Sequence, residues 1–182
     1  MNMTQITRAL AIALLALPLW AADGTDFWQT PATPGFGRMH PILNAAYMPD
    51  KAANYKVVFE LTMMGQDAKS PSPSLERLAR TVNLYVASGV PLDHLKFVAV
   101  AVGAAGAMLN DEQYEKHYGA KNPNLPLIAA LRKAGVDVAV CGQAFAEHGY
   151  DIAWVDHSVT VALSALTTVT MLEQQGYAFM RL

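Results

Sequence analysis

Gly135-Val136-Asp137-Val138-Ala139-Val140-Cys141-Gly142-Gln143 is the stretch whose reading decides the fold of this chain. Val136 to Val140 is a short apolar, β-branched run, the composition of a buried strand. Gly142 turns the chain, and Gln143 to His148 reads as a short helix stopped by Gly149. A strand that hands over directly to a helix is the repeating unit of a parallel α/β sheet. The same stretch brings the only cysteine, Cys141, to the strand's end. There, backbone N–H groups and the positive end of a helix dipole would face the sulfur. The thiolate is the nucleophilic form of cysteine, so Cys141 is the leading catalytic candidate.

Working outward, the alternation repeats. Tyr55, Val57, Phe59 and Leu61 alternate along Tyr55–Thr62, which predicts a strand. Ser72-Pro73 supplies a helix N-cap with proline in the first helical position. Leu75, Leu78, Val82 and Tyr85 then follow at helical spacing up to Gly89, with Pro91 beyond. Phe97 to Val102 is continuously apolar, as expected of a central strand covered on both faces. A helical region over 111–134 is broken by Asn122-Pro123-Asn124 and stopped by Gly135.

Ser158 to Gln175 is rich in valine and threonine, which favour strands. The stripe Val159, Ala162, Leu166, Val169 and Leu172 nevertheless predicts one helix closed by Gly176. Tyr177–Leu182 is the last predicted strand. The fold expected is α/β, with three αβα layers around a mainly parallel sheet, flavodoxin-like in outline. Ligands of such sheets bind beyond the carboxyl ends of the strands. Met64 and Gly65, Gly103 and Gly106, and Gly142 and Gln143 stand at three such ends and are the candidate lining of a cleft with Cys141 in its floor.

The first 22 residues read differently. Arg8 precedes an apolar run of eleven residues, Ala9–Leu19, and small residues Ala21 and Ala22 follow. The run is shorter than the roughly 20 residues that span a bilayer. It predicts a cleaved secretory signal peptide over 1–22 and a periplasmic product, with an uncleaved anchor as the alternative. Residues 23–54 form a proline- and glycine-bearing arm, and 55–182 the α/β domain. The arm's Phe27, Trp28, Phe36, Met39 and Tyr47 predict that it packs, either on its own domain or on a neighbouring subunit.

The formal net charge is −2, and loss of Arg8 alone would make it −3. Basic residues are scattered, with no cluster larger than Arg132-Lys133, which argues against nucleic acid and, after signal cleavage, against a membrane as partners. One cysteine allows no internal disulfide. The five histidines show no metal-binding spacing, so neither metal nor other cofactor is expected. Ser158 and Ser164 lack a nucleophile elbow.

The 135–143 stretch with His148-Gly149, and the tail from Val161 to Leu166 through Gln175-Gly176-Tyr177, resemble the DsrE/DsrF-like sulfur-relay family, in its exported branch. The resemblance covers about residues 35–182, including Gly35-Phe36-Gly37-Arg38. It implies a DsrE-like α/β domain assembling as trimers or hexamers. It also implies that Cys141 accepts sulfane sulfur as a persulfide from a donor protein or small sulfur compound and passes it to a thiol acceptor. One departure stands out: many relatives end the second strand with histidine before glycine, where this chain has Val102-Gly103.

Two rivals stay open at this point. In one, Cys141 is a small buried hydrophobe and the domain is a non-catalytic small-ligand-binding or assembly module. In the other, Met39-His40 and Met63-Met64 handle copper, which thioether and imidazole ligands suit.

Overall fold

The computed structural model describes residues 27–182. The predicted signal peptide lies outside the described residues. Five strands, β1 (Tyr55–Leu61), β2 (Leu95–Ala101), β3 (Asp137–Cys141), β4 (Thr160–Ala162) and β5 (Ala178–Arg181), form one sheet in the order β4-β3-β2-β1-β5. Every pairing is parallel. Five α-helices connect them: α1 (Pro73–Ala87), α2 (Asp111–Tyr118), α3 (Leu125–Lys133), α4 (Gly142–Glu147) and α5 (Ala165–Gln174). The fold is α/β, as the strand–helix alternation predicts.

The local causes match the sequence signals. Ser72 Oγ accepts from Leu75 N at 3.3 Å, Pro73 opens α1, and Leu75, Leu78 and Val82 are fully buried. Asn110 caps α2 through Gln113 N at 2.9 Å, and Gly119 ends it with φ +75°. Asn122 and Asn124 lie in the break between α2 and α3. Asn122 donates to the Ala107 and Leu109 carbonyls, while Asn124 accepts from Ser72 N at 2.7 Å. Those buried amides tie the loops after β1 and β2 to the start of α3 at the carboxyl end of the sheet.

One element differs from expectation. Ser158–Gln175 is not a single helix: β4 occupies Thr160–Ala162, and the helix begins only at Ala165. Val159, Thr160 and Val161 are β-branched, and the free edge of β3 offers their backbone a ladder. Ser164 then restarts the chain as a helix N-cap, its Oγ accepting from Leu166 N at 3.2 Å.

The strand order divides the sheet's faces unequally. The chain steps from β1 to β4 in one direction, then crosses from one edge to the other to lay down β5. With right-handed crossovers, the successive steps place their helices on one face and the return crossover places α5 on the other. The first face buries Val57, Phe59, Leu61, Phe97, Ala99, Val138 and Val140 under α1 and α3, which pack against each other. Phe59, Phe97, Tyr85 and Tyr55 form edge-to-face and tilted aromatic pairs there, 4.6–5.6 Å apart. On the α5 face, Val58, Val100 and Ala139 are buried, but Lys56 and Lys96 point outward. Phe97–Val102 is thus covered on both faces only toward its carboxyl end.

The arm, residues 27–54, packs on α1 of its own domain. Asn83 is fully buried and holds it. Its Oδ1 accepts from Ala32 N and Thr33 N, and its Nδ2 donates to Thr33 Oγ1 and to the Phe36 and Gly37 carbonyls. Gly37 N donates to Glu76 at 2.7 Å. Gly37 has φ +60°, and the position a side chain would occupy is taken by the backbone of Ala79 and Arg80. Met39 is buried, whereas Phe27, Trp28 and Tyr47 remain exposed.

Candidate functional site

Cys141 ends β3 and serves as N-cap of α4. Its Sγ accepts from Ala144 N at 3.5 Å, inside α4, and from Ala165 N at 3.2 Å, the first residue of α5. Ser164 Oγ stands 4.0 Å from the sulfur. Two amide donors from two elements therefore converge on one sulfur. The second exists because β4 pairs Ala162 beside Cys141, which carries the Ser164-Ala165 turn over the thiol. Cys141 is buried, with 4% of its surface exposed.

The N–H groups that reach the sulfur are those of Ala144 and Ala165. Gly142 fits tightly under the β4 end: a side chain there would meet the Ala162 carbonyl oxygen at 2.9 Å. Gln143 donates its side-chain amide to the Leu163 carbonyl at 3.3 Å, bracing the turn that covers Cys141. Gly103 lies against the Thr62 carbonyl, so the first two strand ends are in direct contact. Gly106 lies under Tyr118 and beside Met64, and Gly65 lies against the Ser70 carbonyl. The glycines thus let backbone and neighbouring side chains approach closely.

Beside the sulfur, a groove of about 280 Å³ runs along α5, lined by Glu60, Ala165, Leu166, Val169, Thr170 and Phe179. Ala165 belongs to both: its N–H faces the thiol and it lines the groove. Glu60 is the groove's carboxylate, 3.4 Å from Arg181. Leu163 and Leu166 flank the covering turn at 73% and 82% exposure. Sequence periodicity misses Ser164 and Ala165 as site residues; the legible signal was Ser164 as an N-cap ahead of Ala-Leu-Thr-Thr-Val.

The model of the DsrE/DsrF-like family matches residues 56–182, all of the sheet but its first residue. The chain belongs to the DsrE/DsrF-like family. No curated protein matches. Among solved structures, a protein of unknown function from Methanobacterium thermoautotrophicum is similar at 18% identity. That match covers 71% of this chain and all of the other, with a TM-score of 0.48. Within this DsrE-like domain, Cys141 is the one cysteine.

The other chemistry-bearing groups lie apart from it. Met39 is buried, while His40 packs against Phe27 and Trp28 and its Nδ1 is 3.1 Å from the Phe27 carbonyl. Met64 lies beside Gly106. Among the described residues no group of three or more His, Cys, Asp or Glu is arranged to hold a metal ion. Over the β2 end, Tyr118 and Tyr150 hydroxyls are hydrogen-bonded at 2.7 Å, and burial together with that bond pushes Tyr118 well above the ordinary phenol range.

Proposed function

We propose that this protein is a periplasmic, homo-oligomeric carrier of sulfane sulfur acting through Cys141. The observation that carries the reading is the convergence of Ala144 N–H and Ala165 N–H on the sulfur of the single cysteine in a DsrE/DsrF-like domain. The Cys141 thiolate attacks the terminal sulfur of a persulfide or polysulfide donor. The donor's S–S bond breaks, its thiolate leaves, and Cys141 becomes a persulfide. An acceptor thiolate then attacks the outer sulfur, forms its own persulfide and releases Cys141 as thiolate. No net oxidant or reductant is consumed. Backbone N–H donors are suited to either anion, since neither thiolate nor persulfide needs a specific counter-ion.

Donor and acceptor would meet the sulfur across the strand-end loops of Met64-Gly65, Gly103–Gly106 and Gly142-Gln143. The groove along α5 offers a second approach. Export by the segment over 1–22 would put the thiol where disulfides persist, and a domain without a second cysteine avoids internal oxidation there. Assembly of copies would cover the apolar α5 face. The 4% exposure of Cys141 favours the rival of an inert cysteine, and the same experiment separates the two. Native protein is incubated with polysulfide and the Cys141 peptide weighed. A gain of about 32 Da, one sulfur atom, supports the carrier. Failure of native protein to gain sulfur, or to be alkylated before denaturation, overturns it.

A further inference from the structure

One charged pair on the α5 face takes no part in holding the sulfur. Glu60, near the end of the internal strand β1, lines the groove with Leu166, Val169 and Phe179. Arg181 stands beside it on β5, in register. The two hold each other loosely: the carboxylate is 3.4 Å from Arg181 Nε, and the arginine side chain is 71% exposed. Lys56, on the same face of β1, is turned to the Gln175 carbonyl at 3.1 Å and does not neutralise Glu60. A carboxylate and a guanidinium so placed can each take up one charge of a ligand.

The strand register relates this pair to the thiol. Glu60 is beside Val100 and Val100 beside Ala139, and Cys141 follows Ala139 by two residues, so Glu60 and Cys141 share a face. Strand spacing and rise put their Cα atoms about 12 Å apart. Ala165 joins the two: it lines the groove, and its N–H faces the sulfur at 3.2 Å. The polar side chains of the lining are acceptors. Glu60 is anionic, and Thr170 Oγ1 already donates to the Leu166 carbonyl at 2.8 Å, so its lone pairs are left for a donor. Arg181 adds the complementary donors beside them.

Acceptors and a guanidinium at one end, aliphatic walls, and a nucleophilic sulfur beyond the other end match a small zwitterion that carries sulfane sulfur. We propose that the α5 groove selects free α-amino acid persulfides as the sulfur donors of Cys141, with Glu60 and Arg181 as the specificity residues. This rests on the carrier reading of Cys141. The donor's ammonium meets Glu60 and Thr170, its carboxylate meets Arg181, and its side chain runs along Leu166 and Val169 toward Ala165. A groove of about 280 Å³ suits a molecule of that size. The Cys141 thiolate attacks the outer sulfur of R–S–SH. The S–S bond breaks, R–S⁻ leaves with the bonding electrons, and Cys141 keeps the outer sulfur with its proton as a persulfide.

The test compares donors on native protein, reading the gain of about 32 Da on the Cys141 peptide over time. The donors are cysteine persulfide, N-acetylcysteine persulfide, which lacks the ammonium, cysteamine persulfide, which lacks the carboxylate, and inorganic hydrodisulfide. Each rate is divided by that donor's rate with a free small thiol, which removes differences in intrinsic reactivity. On this scale cysteine persulfide is expected to load about tenfold faster than either truncated donor. Unreactive S-methylcysteine is expected to slow it in competition. Glu60→Gln is expected to erase the advantage over N-acetylcysteine persulfide, and Arg181→Gln, at an exposed position, the advantage over cysteamine persulfide. Equal scaled rates for all donors overturn the proposal and leave Cys141 a carrier. So does an advantage that survives both substitutions. Loading by none of the donors overturns the carrier reading and the proposal together.

Discussion

The two faces of the sheet are built from the same strands and end in opposite states. Under α1 and α3 the core is closed: Phe59, Leu61, Leu75, Leu78, Leu127, Ile128 and Leu131 are fully buried. On the other face one helix stands alone. Only Ala165 of α5 is buried, and Leu166, Met171 and Phe179 remain exposed. The difference follows from topology, since three successive crossovers stack helices on one side and a single return crossover serves the other. The closed face supplies stability, and the open face carries the thiol. Keeping Cys141 under the first turn of a lightly packed helix means that little structure must move to uncover it.

That comparison is most easily broken by truncation. Phe59→Ala is expected to destabilise by about 3–5 kcal/mol in urea unfolding, because it removes a fully buried ring paired with Phe97. Leu166→Ala, on the open face, is expected to shift stability by less than about 0.5 kcal/mol. A large loss at Leu166 would mean that something covers α5 in solution, as an assembly of copies would.

Asn83→Ala probes the closed face from outside. It removes five hydrogen bonds between α1 and the arm and leaves the Ala32 and Thr33 amides unpaired. A cost of about 2–3 kcal/mol is expected. Limited proteolysis should then cleave within 27–54 before it cuts the sheet.

Ser164→Ala sharpens the contrast at the thiol itself. Losing the cap of α5 is expected to cost about 1 kcal/mol and to loosen the turn over Cys141. Alkylation of native protein should therefore speed up by more than the change in global stability explains. An unchanged rate would show that access to the sulfur does not run through the start of α5.

The smallest effect concerns pH. Burial first, and then the bond to Tyr150, raise the Tyr118 hydroxyl above its ordinary value of 10.0. The fold thus favours neutral Tyr118, and the unfolded chain ionises first. The stability this provides is complete below pH 10.0 and is lost progressively as pH rises beyond it. Unfolding followed from neutral to strongly alkaline pH should show that decline, with a shallower slope in Tyr118→Phe.

Much of the α/β architecture was legible because it rests on local signals. Ser72-Pro73 and Gly89 bracket α1, and the 135–149 stretch spells strand, turn and short helix without reference to anything distant. The family resemblance, carried by the same residues, agrees with the family match over 56–182. The misread element was β4. Val159, Ala162, Leu166, Val169 and Leu172 satisfy a helical period, but the backbone of Thr160–Ala162 was claimed by the edge of β3, a partner some twenty residues earlier. Periodicity describes one segment at a time and carries no term for such an edge.

Cys141 at the end of a strand, ahead of a helix, is determined by the order of the residues alone, because strand, glycine and helix are neighbours in the chain. Ala165 N–H on its sulfur and Asn83 gripping the arm were decided only by the tertiary structure. Each joins groups that are far apart along the chain. Which distant groups meet depends on the strand order and on where each crossover returns, and these are set by the packing of the whole sheet.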